Sequence, residues 1–141
     1  MLQLFNTLTK TKEPFSPASG NTARVYNCGP TVYDRVHIGN LRALLFADTL
    51  RRVLQYAGFD VQQVMNITDV GHLSSDQDEG EDKMMKGLKR DNLPVSLVGL
   101  KSLADRYTEL FAQDMEALNV LPPAVMPRAS EHIQDQIDLI V

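Results

Sequence analysis

The sequence contains a single cysteine among its 141 residues. One cysteine excludes an intramolecular disulfide and a zinc site built from cysteine alone. No apolar run approaches the roughly 18 residues that a membrane-spanning helix needs. Positive charge is also scarce: 14 Lys and Arg against 18 Asp and Glu give a formal net charge of −4. These residues therefore carry no basic field that would steer them toward nucleic acid.

The rest of the composition is that of an ordinary folded domain. Hydrophobic residues make up 43% and charged residues 23%, with 8 glycines and 7 prolines, which disfavours disordered, collagen-like and repeat classes. A chain of this length can bury roughly 68–70% of its unfolded surface, so one hydrophobic core needs no disulfide support. Residues 1–15 lack the basic-then-apolar pattern of a secretion signal. We therefore expect a cytoplasmic protein with no membrane partner.

An α/β architecture with a parallel βαβ unit is predicted over residues 23–69. Residues 23–27 alternate apolar and polar side chains, as a strand does. Residues 40–57 carry apolar side chains at helical spacing and are followed by Gly58, a helix stop. Residues 61–67 form a second extended run. Two strands joined through a helix in this way are expected to pair in parallel.

The chemistry is expected where the two strands end, in residues 28–40 and 68–72, because ligands of parallel sheets bind beyond the carboxyl ends of the strands. At the following helix start, free backbone N–H groups and the helix dipole favour a phosphate. His37 could donate a hydrogen bond to a phosphoryl oxygen there, and Gly39 permits close backbone approach. The alternative is a capped helix with an incidental histidine, which residues 37–40 taken alone favour.

The flanking segments complete the predicted organisation. Residues 1–22 are expected to form an edge strand and a loop, and residues 70–92 a mobile acidic loop. A long helix is predicted over residues 95–118, and a final helix after Ser130 as N-cap, still helical in pattern at Val141. We therefore expect the chain to stop inside a helix. The apolar stripe of the long helix is predicted to be core rather than a cofactor site; it comprises Leu97, Leu100, Leu103, Tyr107, Leu110, Phe111 and Met115.

Other potential sites have simpler interpretations. A lone cysteine such as Cys28 is most often a small buried hydrophobe, and nothing at a hydrolase-like spacing supports a nucleophile paired with His37 or His72. The acidic loop fails the calcium-loop pattern, because the sixth and twelfth residues from Asp76 are Glu and Gly. It is therefore expected to be a solvated surface. His132 is expected to be an ordinary surface or packing residue.

Five blocks of the sequence resemble, in order along the chain, the N-terminal part of cysteinyl-tRNA synthetases, which are class I aminoacyl-tRNA synthetases. The blocks are residues 5–9, 26–34, 37–42, 66–70 and 127–133. The resemblance implies the N-terminal half of a Rossmann-like catalytic domain over residues 1–141, divided into an N-terminal strand and loop (1–22), the βαβ nucleotide-binding unit (23–69), and an acidic loop with the helical start of the connective insertion (70–141).

The resemblance also implies an ATP site. His37, Gly39 and Asn40 match the family signature whose usual form is His-Ile-Gly-His, and Thr31 falls beside it. His37 and Asn40 would be the catalytic residues, and all four would contact ATP. Asn40 replaces the second histidine of the signature, but asparagine keeps a hydrogen-bond donor and an acceptor.

An amino-acid pocket and a metal ligand are implied in the same way. Gly29, Thr31 and Thr68 match positions that line the family's cysteine pocket, and Cys28 matches its first zinc ligand. Shape alone discriminates cysteine from serine, which differ by one atom, only about 10–200-fold. Zinc, by contrast, prefers the thiolate of cysteine to the neutral hydroxyl of serine. The other zinc ligands, the Lys-Met-Ser-Lys-Ser loop and the anticodon-binding region of the family have no counterpart in these 141 residues.

The implied activity is ATP-dependent formation of cysteinyl-adenylate and transfer of cysteine to tRNA-Cys, with Mg²⁺ and Zn²⁺ as cofactors. The chain is expected to be a fragment that is incomplete for catalysis, from an enzyme that is monomeric when intact. Two alternatives remain open. One is a related cysteine ligase acting on a small amine, as in the mycothiol pathway; the other is a non-catalytic module that binds a nucleotide or a partner.

Overall fold

The computed structural model describes residues 2–70 and 82–141. Its strands are β1 (Gln3–Asn6), β2 (Thr11–Pro14), β3 (Thr22–Asn27) and β4 (Asp60–Met65). Its helices are α1 (Ile38–Tyr56), α2 (Lys83–Arg90), α3 (Leu97–Ala117) and α4 (Ile133–Ile140), with a 3₁₀ turn at Ala129–His132.

The βαβ unit is confirmed. β3 and β4 pair in parallel, from Thr22 opposite Asp60 to Asn27 opposite Met65, and α1 connects them. α1 buries the predicted apolar face only in part, because Leu44 and Leu54 are buried whereas Val53 is 41% exposed. This unit sets the position of the site, since the loop between β3 and α1 lies at the carboxyl end of β3.

Residues 124–128 extend the sheet beyond the second predicted strand. They run parallel to β4 through bridges that join Val64 to Val125 and Ile67 to Arg128. The Ile67 amide donates to the Pro127 carbonyl oxygen at 2.8 Å. No strand is predicted here from the sequence, because proline cannot donate to a ladder and disfavours a continuous strand.

The strand predicted at the N-terminus is present as β1, but part of the predicted loop forms a second strand, β2, so that the N-terminal residues form a hairpin. β1 pairs antiparallel with β2, and in the described residues these two strands form their own two-stranded sheet. The physical reason is that residues 11–14 supply a local partner for β1 and satisfy its backbone groups. The hairpin is followed by Phe15, whose ring meets Phe59 edge to face with centroids 5.2 Å apart.

A helix replaces part of the predicted acidic loop. α2 begins after Asp82, whose carboxylate caps it by accepting from the amides of Met84 and Met85. The side chains of Met84 and Leu88 are buried in the core, and this packing overrides the polar character of the segment. Residues 71–81 of that loop, including His72 and Asp76, lie outside the described residues.

The stripe on α3 forms the core, as predicted, apart from its first member. Leu97 is 84% exposed, because it is the first residue of α3 and precedes the turn where Leu103 meets α2. The central core cluster joins the βαβ unit to α2 and α3, which are called the helical pair below; it comprises Val32, Leu44, Met65, Ile67, Met84, Leu88, Leu103, Ala104, Tyr107, Phe111, Met115 and Val120.

Ser130 does not cap the final helix, contrary to prediction. It lies within the 3₁₀ turn, and α4 starts three residues later at Ile133. Its amide and hydroxyl both donate to the buried carboxylate of Asp69, at 2.9 and 2.6 Å. Ser130 thus fixes the turn to the segment after β4. Among the described residues, no helix has the length and apolarity needed to cross a bilayer.

Candidate functional site

A cleft of about 180 Å³ opens between the end of β3 and the start of α1. Its walls come from the β3–α1 loop, the first turns of α1 and the first residue of α2. The lining residues are Pro30, Thr31, Tyr33, Asp34, Arg35, Val36, His37, Asn40 and Lys83. The cleft therefore lies at the sheet edge where the sequence places the chemistry.

His37 and Asn40 form a capping box at the start of α1. The Gly39 amide donates to His37 Nδ1 at 3.0 Å, and the His37 amide donates to Asn40 Oδ1 at 3.2 Å. His37 therefore does cap α1, as the alternative interpretation of residues 37–40 predicted. The cap uses only one of the two ring nitrogens, because a neutral imidazole that accepts at Nδ1 carries its proton on Nε2. The cap therefore leaves an N–H donor on the other side of the His37 ring.

Gly39 has a steric role in this arrangement. A Cβ at position 39 would lie 2.8 Å from His37 Cε1 and 3.0 Å from His37 Nδ1. Both separations are shorter than ordinary van der Waals contact, so any larger residue would displace the imidazole. The glycine that was predicted for backbone approach to a nucleotide is also needed to seat His37 over the helix end.

Thr31 and Thr68 are brought together, as expected for residues of one pocket. They form an isolated parallel bridge, in which the Val32 amide donates to the Thr68 carbonyl at 3.1 Å and the Thr68 amide donates to the Pro30 carbonyl at 3.0 Å. The chain after β3 therefore pairs again with the chain after β4. This second pairing fixes Pro30 and Thr31, which line the cleft, whereas Thr68 itself is not a lining residue.

Asn66 organises the neighbouring turn, a role that the sequence analysis did not assign to it. Its side-chain Oδ1 accepts from the Gly29 amide at 3.1 Å and from the Tyr26 hydroxyl at 2.9 Å, while its amide donates to Thr68 Oγ1 at 3.0 Å. A Cβ at Gly29 would lie 1.8 Å from the Asn66 carbonyl oxygen. Glycine is thus required at position 29 for backbone approach.

Cys28 is exposed, so its interpretation as a small buried hydrophobe is wrong. It lines a second cavity of about 180 Å³ that shares Pro30, Val36 and Asn40 with the His37 cleft. The two cavities therefore lie side by side. In the described part of the chain, no three His, Cys, Asp or Glu side chains come together as metal ligands. These residues alone do not complete a zinc site, and Cys28 could supply one ligand of a larger set.

Charged side chains line the His37 cleft on both sides. Lys83 stands at the N-terminus of α2, and Arg35 pairs with Asp114 of α3 at 2.7 Å. The hydrogen bond to Asp114 raises the pKa of the Arg35 guanidinium. Lys83 was missed because its segment was assigned to the acidic loop. The signal available in the sequence was the Asp82 cap followed by apolar residues at helical spacing.

His132 is half-exposed, as its interpretation as a surface residue implied. Its Nδ1 lies 2.7 Å from a carboxylate oxygen of Asp135, one turn further along the chain. It borders a third cavity of about 340 Å³ next to Tyr26, Asn66 and Arg128.

Comparison with known proteins identifies the family. The family of tRNA synthetases class I (C) catalytic domain matches residues 14–141. The chain is 50% identical over 139 residues to cysteine–tRNA ligase 1 of Burkholderia lata, 48% over 139 residues to cysteine–tRNA ligase of Treponema denticola, and 46% over 142 residues to that of Salinibacter ruber. Each alignment covers 99% of this chain but only 27–28% of the relative. The chain spans little more than a quarter of their length, and it belongs to the class I tRNA synthetase catalytic-domain family.

Proposed function

We propose that the intact protein is a cysteine–tRNA ligase and that this chain supplies the nucleotide half of its active site. The observation that carries the proposal is the 46–50% identity, over 99% of the chain, to proteins named cysteine–tRNA ligase. The second support is the cleft itself, which places the matching signature residues His37 and Asn40 beside Thr31.

ATP binds in the His37 cleft. The N-terminus of α1 offers free backbone amides and the positive end of the helix dipole, both of which favour phosphate. His37 Nε2–H, Lys83 and Arg35 add donors and positive charge to the same walls. Asn40 holds His37 through the capping box and keeps its own amide group for the nucleotide. Mg²⁺ accompanies the bound ATP.

The reaction has two steps. A carboxylate oxygen of cysteine attacks the α-phosphorus of ATP, the bond to the bridging oxygen breaks, and pyrophosphate leaves with that electron pair. A terminal ribose hydroxyl of tRNA-Cys then attacks the activated carbonyl carbon, loses its proton and releases AMP. His37 stabilises the charge that develops on the phosphate oxygens, so orientation and electrostatics supply most of the rate enhancement.

Cysteine binds next to the nucleotide, against Gly29, Thr31 and Thr68. Thr31 and Thr68 are joined by the parallel bridge, and Gly29 keeps the backbone close to Asn66. Cys28 borders the adjoining cavity and would provide one zinc ligand, with the others from outside these residues. Zinc, when bound, would select a substrate thiolate over a hydroxyl. We place the enzyme in the cytoplasm and expect it to act as a monomer.

The test is cysteine-dependent exchange of pyrophosphate into ATP by the full-length protein with zinc present. We expect exchange with cysteine, little with serine, and a cysteinylated tRNA as product. Lack of exchange refutes the proposal, and exchange with transfer to a small amine instead of tRNA would point to the alternative ligase.

Cys28→Ser should lose both bound zinc and the rejection of serine, with stability unchanged to within about 0.5 kcal/mol because the side chain is exposed. Unchanged zinc stoichiometry contradicts the ligand assignment.

A further inference from the structure

An ionic network on the helical pair reaches into the wall of the His37 cleft. Its centre is Arg90, the last residue of α2. The guanidinium donates to the Tyr33 carbonyl at 2.7 Å and lies 2.7 Å from a carboxylate oxygen of Asp34, and both of these residues line the cleft. On its helical side, it donates to Asp91 at 2.8 Å and to the Tyr107 hydroxyl at 2.6 Å.

The helical side of the network holds the guanidinium in one orientation. The Asp91 side chain, 10% exposed, accepts from Arg90, from the Tyr107 hydroxyl at 3.0 Å and from Arg106 at 3.2 Å. The hydrogen bond from Arg90 lowers the pKa of Asp91, and burial followed by the bond to Asp91 raises the pKa of Tyr107. The Arg90 guanidinium also lies 5.1 Å from the centroid of the Tyr107 ring, a cation–π distance.

At Gly87, the cleft loop approaches the backbone of α2 closely. A Cβ at Gly87 would lie 2.8 Å from the Tyr33 carbonyl oxygen and 2.7 Å from Leu103 Cδ2. The same carbonyl that Arg90 binds is therefore in direct contact with the α2 backbone. Residues 33–37 contain no regular secondary structure, so their position depends on such contacts. Arg90 and the α2 backbone thus both contact the cleft wall at Tyr33.

We propose that Arg90 is a positioning residue for the nucleotide: it holds Tyr33 and Asp34 in the cleft wall so that ATP is bound in register with His37. Arg90 acts through these two residues and is not itself a catalytic residue. The inference rests on the proposed function, because it assigns ATP to this cleft.

The test is Arg90→Gln in the full-length protein, assayed by pyrophosphate exchange with ATP and cysteine varied in turn. We expect the KM for ATP to rise about tenfold or more, the scale of one lost charge-assisted hydrogen bond. The KM for cysteine should stay within about twofold, because Gly29 lines the neighbouring cavity and Thr31 is held by its bridge to Thr68 rather than by Arg90.

Arg106→Gln is the matched control. Arg106 contacts the same Asp91 carboxylate and lies 5.6 Å from the centroid of the same Tyr107 ring, but these contacts stay within the helical pair. This variant should lower the Tm while leaving the KM for ATP unchanged. An equal rise in the KM for ATP in both variants would assign the effect to general stability and overturn the inference.

Arg90→Lys carries the test if Arg90→Gln does not fold. Lysine keeps the charge for Asp91 but lacks the fork that reaches Tyr33 and Asp34 together, so we expect a smaller increase in the KM for ATP. A folded Arg90 variant with an unchanged KM for ATP refutes the positioning role. If the wild-type protein still catalyses exchange, the proposed function stands. Absence of exchange in the wild-type protein overturns both.

Discussion

The His37 ring caps α1 with one nitrogen and carries the donor of the proposed chemistry on the other. Nδ1 accepts from the Gly39 amide and caps the N-terminus of α1, which fixes the neutral tautomer with its proton on Nε2. A freely rotating imidazole would have to lose side-chain entropy before it could donate to a phosphate. Capping therefore orients the donor that the proposed chemistry requires, and the two interpretations of the segment describe opposite sides of the same side chain.

The two roles of His37 can be separated by a pair of substitutions. Asparagine is as good an N-cap as any residue, so His37→Asn should keep the free energy of unfolding, whereas His37→Ala should lose about 1 kcal/mol. Both variants lack the imidazole donor, so both should lose about 10²–10³-fold in exchange rate. Thermal unfolding and pyrophosphate exchange measure the two effects. Full exchange activity in His37→Asn would show that the ring does no chemistry.

At the scale of single residues, the sequence indicated which side chains meet but not all of their contacts. The signature predicted that His37 and Asn40 share a site, and the helix start predicted the cap between them. Asn66 gained no individual role, because its partners lie at sequence separations that local patterns do not report, whereas Lys83 was missed because its segment was assigned to the acidic loop. Asn66, for example, binds Gly29 across 37 positions.

At the scale of elements, the βαβ unit was predictable because its hydrophobic periodicity and its packing agree. The other elements depend on tertiary contacts. α2 is a short helix of eight residues whose stability comes from burying Met84 and Leu88, and such helices are marginal on local preferences alone. Residues 124–128 pair with β4 through isolated bridges, which leave little periodic signal.

The α2–α3 contact predicts a dependence of stability on pH. In the folded state, the hydrogen bond from Arg90 to the Asp91 carboxylate lowers the pKa of Asp91. Asp91 therefore stabilises the fold fully above its unfolded pKa of about 3.9, and this contribution is lost as the pH falls through the lower, folded pKa. Asp91→Asn should lower the free energy of unfolding by about 2 kcal/mol at pH 7.

Chemical denaturation of wild type and Asp91→Asn across pH 2–7 measures this effect. The difference between the two proteins should be constant near neutral pH and shrink below about pH 4. Lys101→Gln is a suitable comparison, because Lys101 pairs with the partly exposed Asp105 on the outer face of α3. An exposed pair of this kind contributes about 0.2–1 kcal/mol. A difference for Asp91→Asn that is independent of pH would contradict the ionic origin of its contribution.

At the scale of the whole molecule, the chain presents apolar side chains that its own described residues leave uncovered. On α1, Phe46 is 72% exposed and Val53 is 41% exposed one further heptad along, on the same face. β3 pairs only with β4 among the described strands, so its other edge carries unpaired backbone groups. Because the relatives are more than three times as long, we expect the rest of the protein to pack on this side.

The 141 residues expressed alone should therefore self-associate and show weak or no pyrophosphate exchange. Apolar burial favours association by roughly 25 cal/mol per Å² of surface, and Phe46 is a large apolar side chain of α1 that is 72% exposed. Phe46→Lys should reduce the association without lowering the Tm of the monomer, because the ring is largely in solvent. Sedimentation velocity over a hundredfold concentration range measures both forms. A wild-type chain that stays monomeric throughout would show that α1 and the β3 edge need no cover.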